Sequence, residues 1–163
     1  MPSESEALIT RKGILVVEDN PNDLFFLRRA VLRVGLLEPA TFLRDGTEAI
    51  QYLTGAAPFG NREVFPFPKL IMLDLVMPNV SGWDLLQWKK AQSALRDIPI
   101  VVFAELQDAN QNSRALSLGA SRCYAKTVEV AKWVDMIRVL AMEFGVRTAR
   151  PVEAESKEGQ KAA

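Results

Sequence analysis

The stretch KLIMLDLVMP, residues 69–78, predicts the centre of the fold. A continuous apolar run from Leu70 to Leu73 leads directly into Asp74. A short apolar run that is closed by a turn signal, here Pro78, is typical of a strand buried on both faces of a parallel sheet. Open α/β sheets bind their ligands at the carboxyl ends of such strands. Asp74 is therefore the first candidate for chemistry.

A second buried strand is predicted by GILVVED, residues 13–19, which also ends in carboxylates, Glu18 and Asp19. Three other apolar segments predict further strands, at 40–43, 98–104 and 122–126. Apolar residues at helical spacing separate the strands, so we predict five strands and five helices in an α/β, doubly wound parallel sheet of order 2-1-3-4-5. The first and third strands flank the switch point of that order. Glu18, Asp19 and Asp74 are then expected in one crevice.

Composition narrows the class of protein. The chain has 163 residues, which suits one domain, and 20 acidic against 20 basic residues, which favours neither nucleic acid nor a membrane surface as a partner. No apolar run reaches membrane-spanning length, and the first residues lack the apolar segment of a signal peptide. We therefore expect a cytoplasmic protein whose single cysteine, Cys123, stays reduced.

The chain contains no histidine, which excludes Ser-His and Cys-His nucleophile pairs and imidazole metal ligands. Three carboxylates in one crevice repel one another unless a cation joins them, and an all-oxygen ligand set suits Mg²⁺. An aspartate can accept a phosphoryl group, and Lys126, after the fifth strand, adds a positive charge. The phosphoryl donor must then come from outside. Asp23 is interpreted as a first-turn carboxylate of the first helix rather than as a ligand.

Three segments leave alternatives open. We expect a flexible arm at 1–12, a folded domain at 13–146 and a disordered tail at 147–163. The last helix, predicted at 128–146, carries more apolar residues than one core face requires, so it is either a generous core helix or a partner or homodimer face. The segment at 54–68 is longer than most connections and is either functional or a covering loop.

Four segments together resemble the receiver domain of two-component response regulators: ILVVEDNPND, LIMLDLVMPNVSGWDLL, PIVVFA and GASRCYAK. They occur in the family's order and cover roughly residues 12–144. The long segment before the third strand further resembles the stand-alone, chemotaxis-regulator-like proteins that partner bacterial phytochromes. The resemblance implies a flavodoxin-like receiver fold, a role in phosphorelay signal transduction rather than as an enzyme, and a sensor histidine kinase as partner, with a bacteriophytochrome as one candidate.

The resemblance also implies roles for individual residues. Asp74 matches the phosphoacceptor, and Glu18 and Asp19 match the acidic pair that holds Mg²⁺, with Asp19 as the direct ligand and Glu18 acting through water. The backbone carbonyl of Val76 matches the third protein ligand. Lys126 matches the lysine that pairs with the phosphoryl group.

Two positions depart from the family. Ala104 stands at the end of the fourth strand, where receivers carry Thr or Ser, and Cys123 stands where they carry Tyr or Phe, with Tyr124 one place later. The acceptor site is thus expected to be intact and the usual switch dismantled. The alternative is a receiver-fold interaction domain that works without phosphorylation, or a phosphate sink. An aspartyl-phosphate hydrolase is disfavoured, because Val76 occupies the place of its second acid.

Overall fold

The sheet has the predicted doubly wound topology. The computed structural model describes residues 10–105 and 108–149, and within them five parallel strands lie in the order β2-β1-β3-β4-β5. The strands are β1 (Ile14–Val17), β2 (Ala40–Leu43), β3 (Leu70–Asp74), β4 (Ile100–Ala104) and β5 (Arg122–Ala125). The α-helices are α1 (Pro21–Val34), α2 (Gly46–Thr54), α3 (Gly82–Ala91), α4 (Ala109–Ser117) and α5 (Val130–Glu143). The predicted fold class is confirmed.

The central strands are buried on both faces, as their apolar runs predict. Every residue of β1 and β3 is buried, and Val17 pairs in register with Leu73. One apolar cluster fills the face covered by α2 and α3, and a second fills the face covered by α1 and α5. Since β1 and β3 are adjacent and parallel, the residues that follow Val17 and Leu73 emerge at the same edge of the sheet.

The last helix packs as a core element. Its buried stripe faces α1 and the sheet and consists of Trp133, Val134, Ile137, Leu140 and Ala141. Val139 and Met142 are exposed, at 57% and 83%. The core interpretation accounts for the stripe, and these two side chains are the large apolar ones that the helix leaves exposed. A homodimer through this face stays a prediction.

The long segment between α2 and β3 is a covering loop anchored by Arg62. Its guanidinium donates to the carbonyls of Tyr52, Leu53 and Phe65 at 2.7, 3.1 and 3.2 Å, which satisfies carbonyl oxygens at the end of α2. It also lies 3.9 Å above the ring centroid of Phe67. The Tyr52 hydroxyl donates to the Pro66 carbonyl at 2.7 Å. The loop is therefore fastened to the domain along its length.

Replacing Arg62 by Ala is expected to lower the free energy of unfolding by about 2 kcal/mol, because three carbonyls lose a charged donor and one ring loses its cation. Guanidinium chloride unfolding followed by circular dichroism measures the change. Arg33→Ala, on the exposed side of α1, is the control and should shift the free energy by less than about 0.5 kcal/mol. Equal, small shifts in both variants would show that the loop is not anchored at Arg62.

Glu38 joins the segments at the opposite edge of the sheet. Its side chain is 2% exposed and pairs with the Lys69 ammonium at 2.7 Å. It also accepts hydrogen bonds from the backbone N–H groups of Gly13 and Arg147. The Lys69 ammonium donates to the Gly145 carbonyl at 2.8 Å as well. One buried carboxylate thus ties the starts of β1 and β3 to the chain that follows α5.

The folded part runs slightly beyond the predicted boundaries. The backbone N–H of Lys12 donates to the Phe67 carbonyl, and the backbone N–H of Ala149 donates to the Gly35 carbonyl at 2.7 Å. Leu36 and Thr148 form an antiparallel bridge. These contacts involve residues that were assigned to the arm and the tail; the remainder of those two segments, 1–9 and 150–163, lies outside the described residues, as do 106–107.

Candidate functional site

Three carboxylates meet at the carboxyl edge of the sheet. Glu18 and Asp19 directly follow β1, and Asp74 is the last residue of β3. One oxygen of each lies within 4.8 Å of the others. Glu18 and Asp74 are buried, at 3% and 5% exposed, and Asp19 is half-buried. The predicted crevice between the first and third strands is present and brings together the three predicted residues.

Lys126 lies against this acidic cluster. It follows β5, and its backbone N–H donates to the Ala104 carbonyl at 2.8 Å. Its ammonium lies 2.9 Å from Glu18 Oε2, 2.9 Å from Asp23 Oδ2 and 3.2 Å from Asp74 Oδ2. The backbone of the following residue is also fixed, since the Trp133 indole N–H donates to the Thr127 carbonyl at 2.7 Å. The lysine is therefore fixed at its backbone and at its charged end.

Burial and mutual repulsion shape the charges of the cluster. Burial, followed by the neighbouring Asp74 charge, raises the pKa of Glu18 to about 8. Burial also raises the pKa of Asp74, against the lowering effect of Lys126. Burial alone would lower the pKa of Lys126, but hydrogen bonds to Asp23 and Glu18 raise it above its ordinary value. The ammonium therefore stays charged, while the two buried carboxyls hold protons more tightly than exposed ones.

A cleft of about 430 Å³ opens onto Asp74. Its lining consists of Asp19, Asn20, Asp74, Val76, Ala104, Glu105, Gln111 and Lys126. The Val76 side chain is 79% exposed, while its backbone N–H donates to Asp74 Oδ1 at 3.2 Å. Ala104 presents only a methyl group to this space. The cleft therefore offers a carboxylate oxygen and an ammonium group but no hydroxyl from the end of β4.

Cys123, the second position that departs from the receiver pattern, is not among the residues that line the cleft. Cys123 is half-buried on the face that α2, α3 and α4 cover, and its thiol lies 3.9 Å from the Asn112 carbonyl oxygen. Tyr124 points to the opposite face and stacks on Phe103, with ring centroids 5.7 Å apart. No ring on β5 is thus placed on the α4 side within the described residues. Burial raises the pKa of the Cys123 thiol, which makes it a poor nucleophile.

Sequence reasoning missed Asp23 as part of this site. Asp23 is the first-turn carboxylate of α1 that the sequence predicts, and in addition its side chain pairs with the Lys126 ammonium. The sequence carries no local signal for this contact, because Asp19 precedes the N-cap Asn20 and is not helical, and Lys126 lies 103 residues away from Asp23. Gln111, from the first turn of α4, also lines the cleft and was not predicted from the sequence.

Across the described residues, no helix has both the length and the apolar character that crossing a bilayer requires.

Comparison with known proteins is consistent with this geometry. Residues 14–138 match the family described as the response regulator receiver domain. Two-component response regulator ARR5 of Arabidopsis thaliana is 36% identical over 121 residues, which are 72% of this chain and 64% of ARR5. The probable methanogenesis regulatory protein FilR2 of Methanothrix harundinacea is 36% identical over 64% of each chain. The chain thus spans slightly less than two thirds of the length of these relatives.

Solved structures give the same result. The bacteriophytochrome response regulator AtBRR is 33% identical, and the superposition covers 86% of this chain and 96% of AtBRR with a TM-score of 0.69. The Mn²⁺-bound form of response regulator Rcp1 is 25% identical, covering 85% and 96% of the two chains with a TM-score of 0.70. The sheet order, the acidic cluster at its carboxyl edge and these matches agree. The chain belongs to the response regulator receiver domain family.

Proposed function

We propose that this response regulator accepts a phosphoryl group on Asp74 from a partner histidine kinase in a Mg²⁺-dependent reaction. The observation that supports it most strongly is the 3.2 Å contact between Asp74 Oδ2 and the Lys126 ammonium, beside the carboxylates of Glu18 and Asp19. A carboxylate that opens onto a cleft next to a fixed cation is placed to attack phosphorus while the growing charge is neutralised.

The residues divide the work of the transfer between them. The Val76 N–H holds Asp74 Oδ1, and Lys126 holds Oδ2, so the carboxylate is oriented before the donor arrives. A bond forms between a carboxylate oxygen and phosphorus. The bond from phosphorus to the imidazole nitrogen of the donor breaks, and its electron pair stays on that nitrogen. Lys126 then faces the oxygens of the transferred group.

The donor set fits a hard divalent cation. Glu18, Asp19 and Asp74 contribute only oxygen ligands, and their carboxylates lie close enough to share one ion. In the proposed assignment, Asp19 and Asp74 bind Mg²⁺ directly together with the Val76 carbonyl, and Glu18 acts through water. When bound, the ion offsets the negative charge of the cluster and of the phosphoryl oxygens. The likeness to the Mn²⁺-bound form of Rcp1 supports a divalent cation as the ligand of this chain.

The apparent affinity for Mg²⁺ should rise with pH. Burial raises the pKa of Glu18 to about 8, so a proton must leave the cluster when the cation binds at neutral pH. Below pH 8 we expect the affinity to increase by up to about tenfold per pH unit and then to level off. Calorimetric titration in two buffers of different ionisation enthalpy counts the released proton. An affinity that is constant between pH 6 and 8 would contradict this charge assignment, and Glu18→Gln should remove most of the dependence.

We further propose that the response to phosphorylation is muted or rerouted. A hydroxyl at the end of β4 could bond a phosphoryl oxygen, and the methyl group of Ala104 cannot. Glu105 lines the same cleft, and a carboxylate directed inward would oppose the phosphorylated state. With Cys123 in place of a ring, the aromatic half of the switch is absent as well.

Ala104→Thr should therefore lengthen the lifetime of the phosphorylated chain, or strengthen its phosphorylation-dependent binding to a partner, by about tenfold, the worth of one charge-assisted hydrogen bond. Ala104→Val fills similar space without a hydroxyl and should leave both unchanged. The lifetime is read from the decay of the phosphorylated mass after removal of the donor. Identical decay and partner binding in all three chains would show that a hydroxyl at 104 is not the missing part.

The second candidate function is a phosphate sink or a phosphorylation-independent interaction domain. The observation that favours it is Ala104, which offers no hydroxyl to a phosphoryl group.

The partner in the main proposal is a sensor histidine kinase, specifically a bacteriophytochrome, which the likeness to AtBRR supports. We propose a cytoplasmic, non-enzymatic acceptor that contacts no nucleic acid, as its balanced charge suggests. Exposed Val139 and Met142 on α5 support a homodimer. Sedimentation showing only monomer at micromolar concentration would count against the dimer.

Intact mass after incubation with acetyl phosphate tests the main proposal. One added phosphoryl group is expected with Mg²⁺, and none with a chelator or in Asp74→Asn. The folded state of each sample is checked by circular dichroism. A folded wild-type chain that gains no mass from acetyl phosphate and none from an autophosphorylated kinase would leave the interaction domain as the better account.

A further inference from the structure

The ammonium of Lys126 has three carboxylate partners, and one of them lies outside the predicted acceptor site. Glu18 and Asp74 belong to the acidic cluster, whereas Asp23 comes from the first turn of α1. A lysine ammonium carries three N–H donors, so these three partners account for all of them. The Asp23 contact, at 2.9 Å, is as short as that to Glu18.

Asp23 is placed specifically for this contact. Its backbone N–H donates to Asn20 Oδ1 at 3.2 Å within the N-cap of α1, which leaves its side chain available to reach Lys126, 103 residues further along the chain. The side chain is only 16% exposed, and that of Lys126 is 10% exposed. Charged partners with so little solvent around them interact more strongly than surface pairs. Within the part of the chain that is described, Asp23 does not line the cleft, so it contacts Lys126 without taking up space that a phosphoryl group needs.

The two other partners change during the proposed transfer. One oxygen of Asp74 would become bonded to phosphorus, and Glu18 would help to hold the divalent cation when it is bound. Asp23, which belongs to neither role, would keep its charge and its contact with the ammonium. Without it, the four-carbon stem of Lys126 would have to be ordered again at each transfer, at a cost in conformational entropy.

We propose that Asp23 is a positioning residue for phosphoryl transfer, which holds the Lys126 ammonium at the wall of the cleft while Asp74 and Glu18 exchange partners. The inference rests on the proposed phosphoacceptor function of Asp74. With acetyl phosphate as donor, a bond forms between an Asp74 oxygen and phosphorus, the bond from phosphorus to the acetate oxygen breaks, and acetate leaves with the electron pair. Asp23 and Lys126 gain and lose no atoms.

The first test is a double-mutant cycle on the rate of phosphorylation at saturating acetyl phosphate and Mg²⁺. Asp23→Asn should lower the rate about tenfold, because the ammonium loses its permanent charged partner. In the Lys126→Gln background the same substitution should cause no further loss. Glu129→Gln, which breaks an exposed pair with Lys132, is the matched control and should keep the wild-type rate.

The possible outcomes separate the two proposals. Equal rates in wild type and Asp23→Asn, or equal losses in the presence and absence of Lys126, would overturn the positioning role alone. Absence of any adduct on the folded wild-type chain would overturn the proposed function and the positioning role with it.

Amine labelling supplies a readout that needs no phosphorylation. Brief treatment with an acetylating N-hydroxysuccinimide ester, followed by peptide mass mapping, reports how tightly each lysine is held. Asp23→Asn should raise labelling of Lys126 by about threefold, since one of three charge-assisted bonds is lost. Labelling of exposed Lys132 and of buried Lys89 should stay at the wild-type level, which excludes general loosening of the fold. Unchanged labelling of Lys126 would overturn the inference.

Discussion

Gly82→Ala is expected to lower the free energy of unfolding by about 3 kcal/mol and to slow phosphorylation of Asp74. A methyl group at residue 82 would lie 2.2 Å from the Asp74 carbonyl oxygen and 2.6 Å from the Leu75 Cα. Both are backbone atoms at the end of β3, which cannot turn aside as a flexible side chain could. The start of α3 must therefore move away from the acceptor, and the hydrogen bond from the Gly82 N–H to the Leu75 carbonyl, now 3.0 Å, is strained.

Denaturant unfolding measures the loss of stability, and the rate of phosphorylation by acetyl phosphate measures the effect on Asp74. Gly60→Ala is the matched control, because its added methyl group would lie 3.4 Å from the Gly55 carbonyl oxygen, an ordinary contact. That variant should stay within about 0.5 kcal/mol of the wild type and keep its rate. A Gly82→Ala chain that is as stable and as reactive as the control would show that α3 does not pack closely on the acceptor strand.

Glu38→Gln is expected to cost about 3 kcal/mol at pH 7, because it removes the charge from a buried carboxylate whose partners remain. Lys69 would lose its 2.7 Å ion pair, and the amide NH₂ would face backbone N–H donors of Gly13 or Arg147. The substitution lies at the edge of the sheet opposite Asp74. The rate of phosphorylation under native conditions should therefore stay close to that of the wild type.

The cost should depend on pH. Burial alone would raise the pKa of Glu38, but hydrogen bonds from the Arg147 backbone, Lys69 and the Gly13 backbone lower it below the ordinary 4.5. A carboxyl whose pKa is lowered by folding stabilises the native state fully above its unfolded pKa, and this contribution is lost as the pH falls through the folded pKa. The difference between wild type and Glu38→Gln should therefore be constant above about pH 5.5 and narrow below pH 4.5.

Urea unfolding at a series of pH values measures this difference. Glu129→Gln, which breaks an exposed pair, should cost less than about 0.5 kcal/mol at every pH. A Glu38 variant with the same small, pH-independent cost would mean that the buried carboxylate does not join the two ends of the domain.

Local pattern was enough to predict the sheet and the acidic cluster. Strand β1 ends at Val17, directly before Glu18, and strand β3 ends at Asp74 itself, so strand position and site position are encoded in the same short segments. Lys126 was predicted in the same way, from the end of β5. Topological rules for parallel sheets then bring these ends together without any knowledge of side-chain contacts.

Contacts between distant segments were not predicted. Asp23 meets Lys126 across 103 residues, and Glu38 meets Arg147 across 109. Neither residue is conspicuous in the sequence, because a carboxylate in a first helical turn or in a short loop between a helix and a strand is ordinary. Their burial and charge become meaningful only when packing brings the partner close. The covering role of the Arg62 loop had the same origin, and sequence left it open between two alternatives.

The site of modification tests the central claim most directly. Borohydride reduces an acyl phosphate and converts the modified aspartate to homoserine, which peptide sequencing by mass spectrometry locates. After treatment with acetyl phosphate and Mg²⁺, we expect homoserine at residue 74 and an unmodified carboxylate at Asp19 and Asp23. Homoserine at either of those residues, or its absence from residue 74 in a chain that has gained a phosphoryl group, would contradict the account.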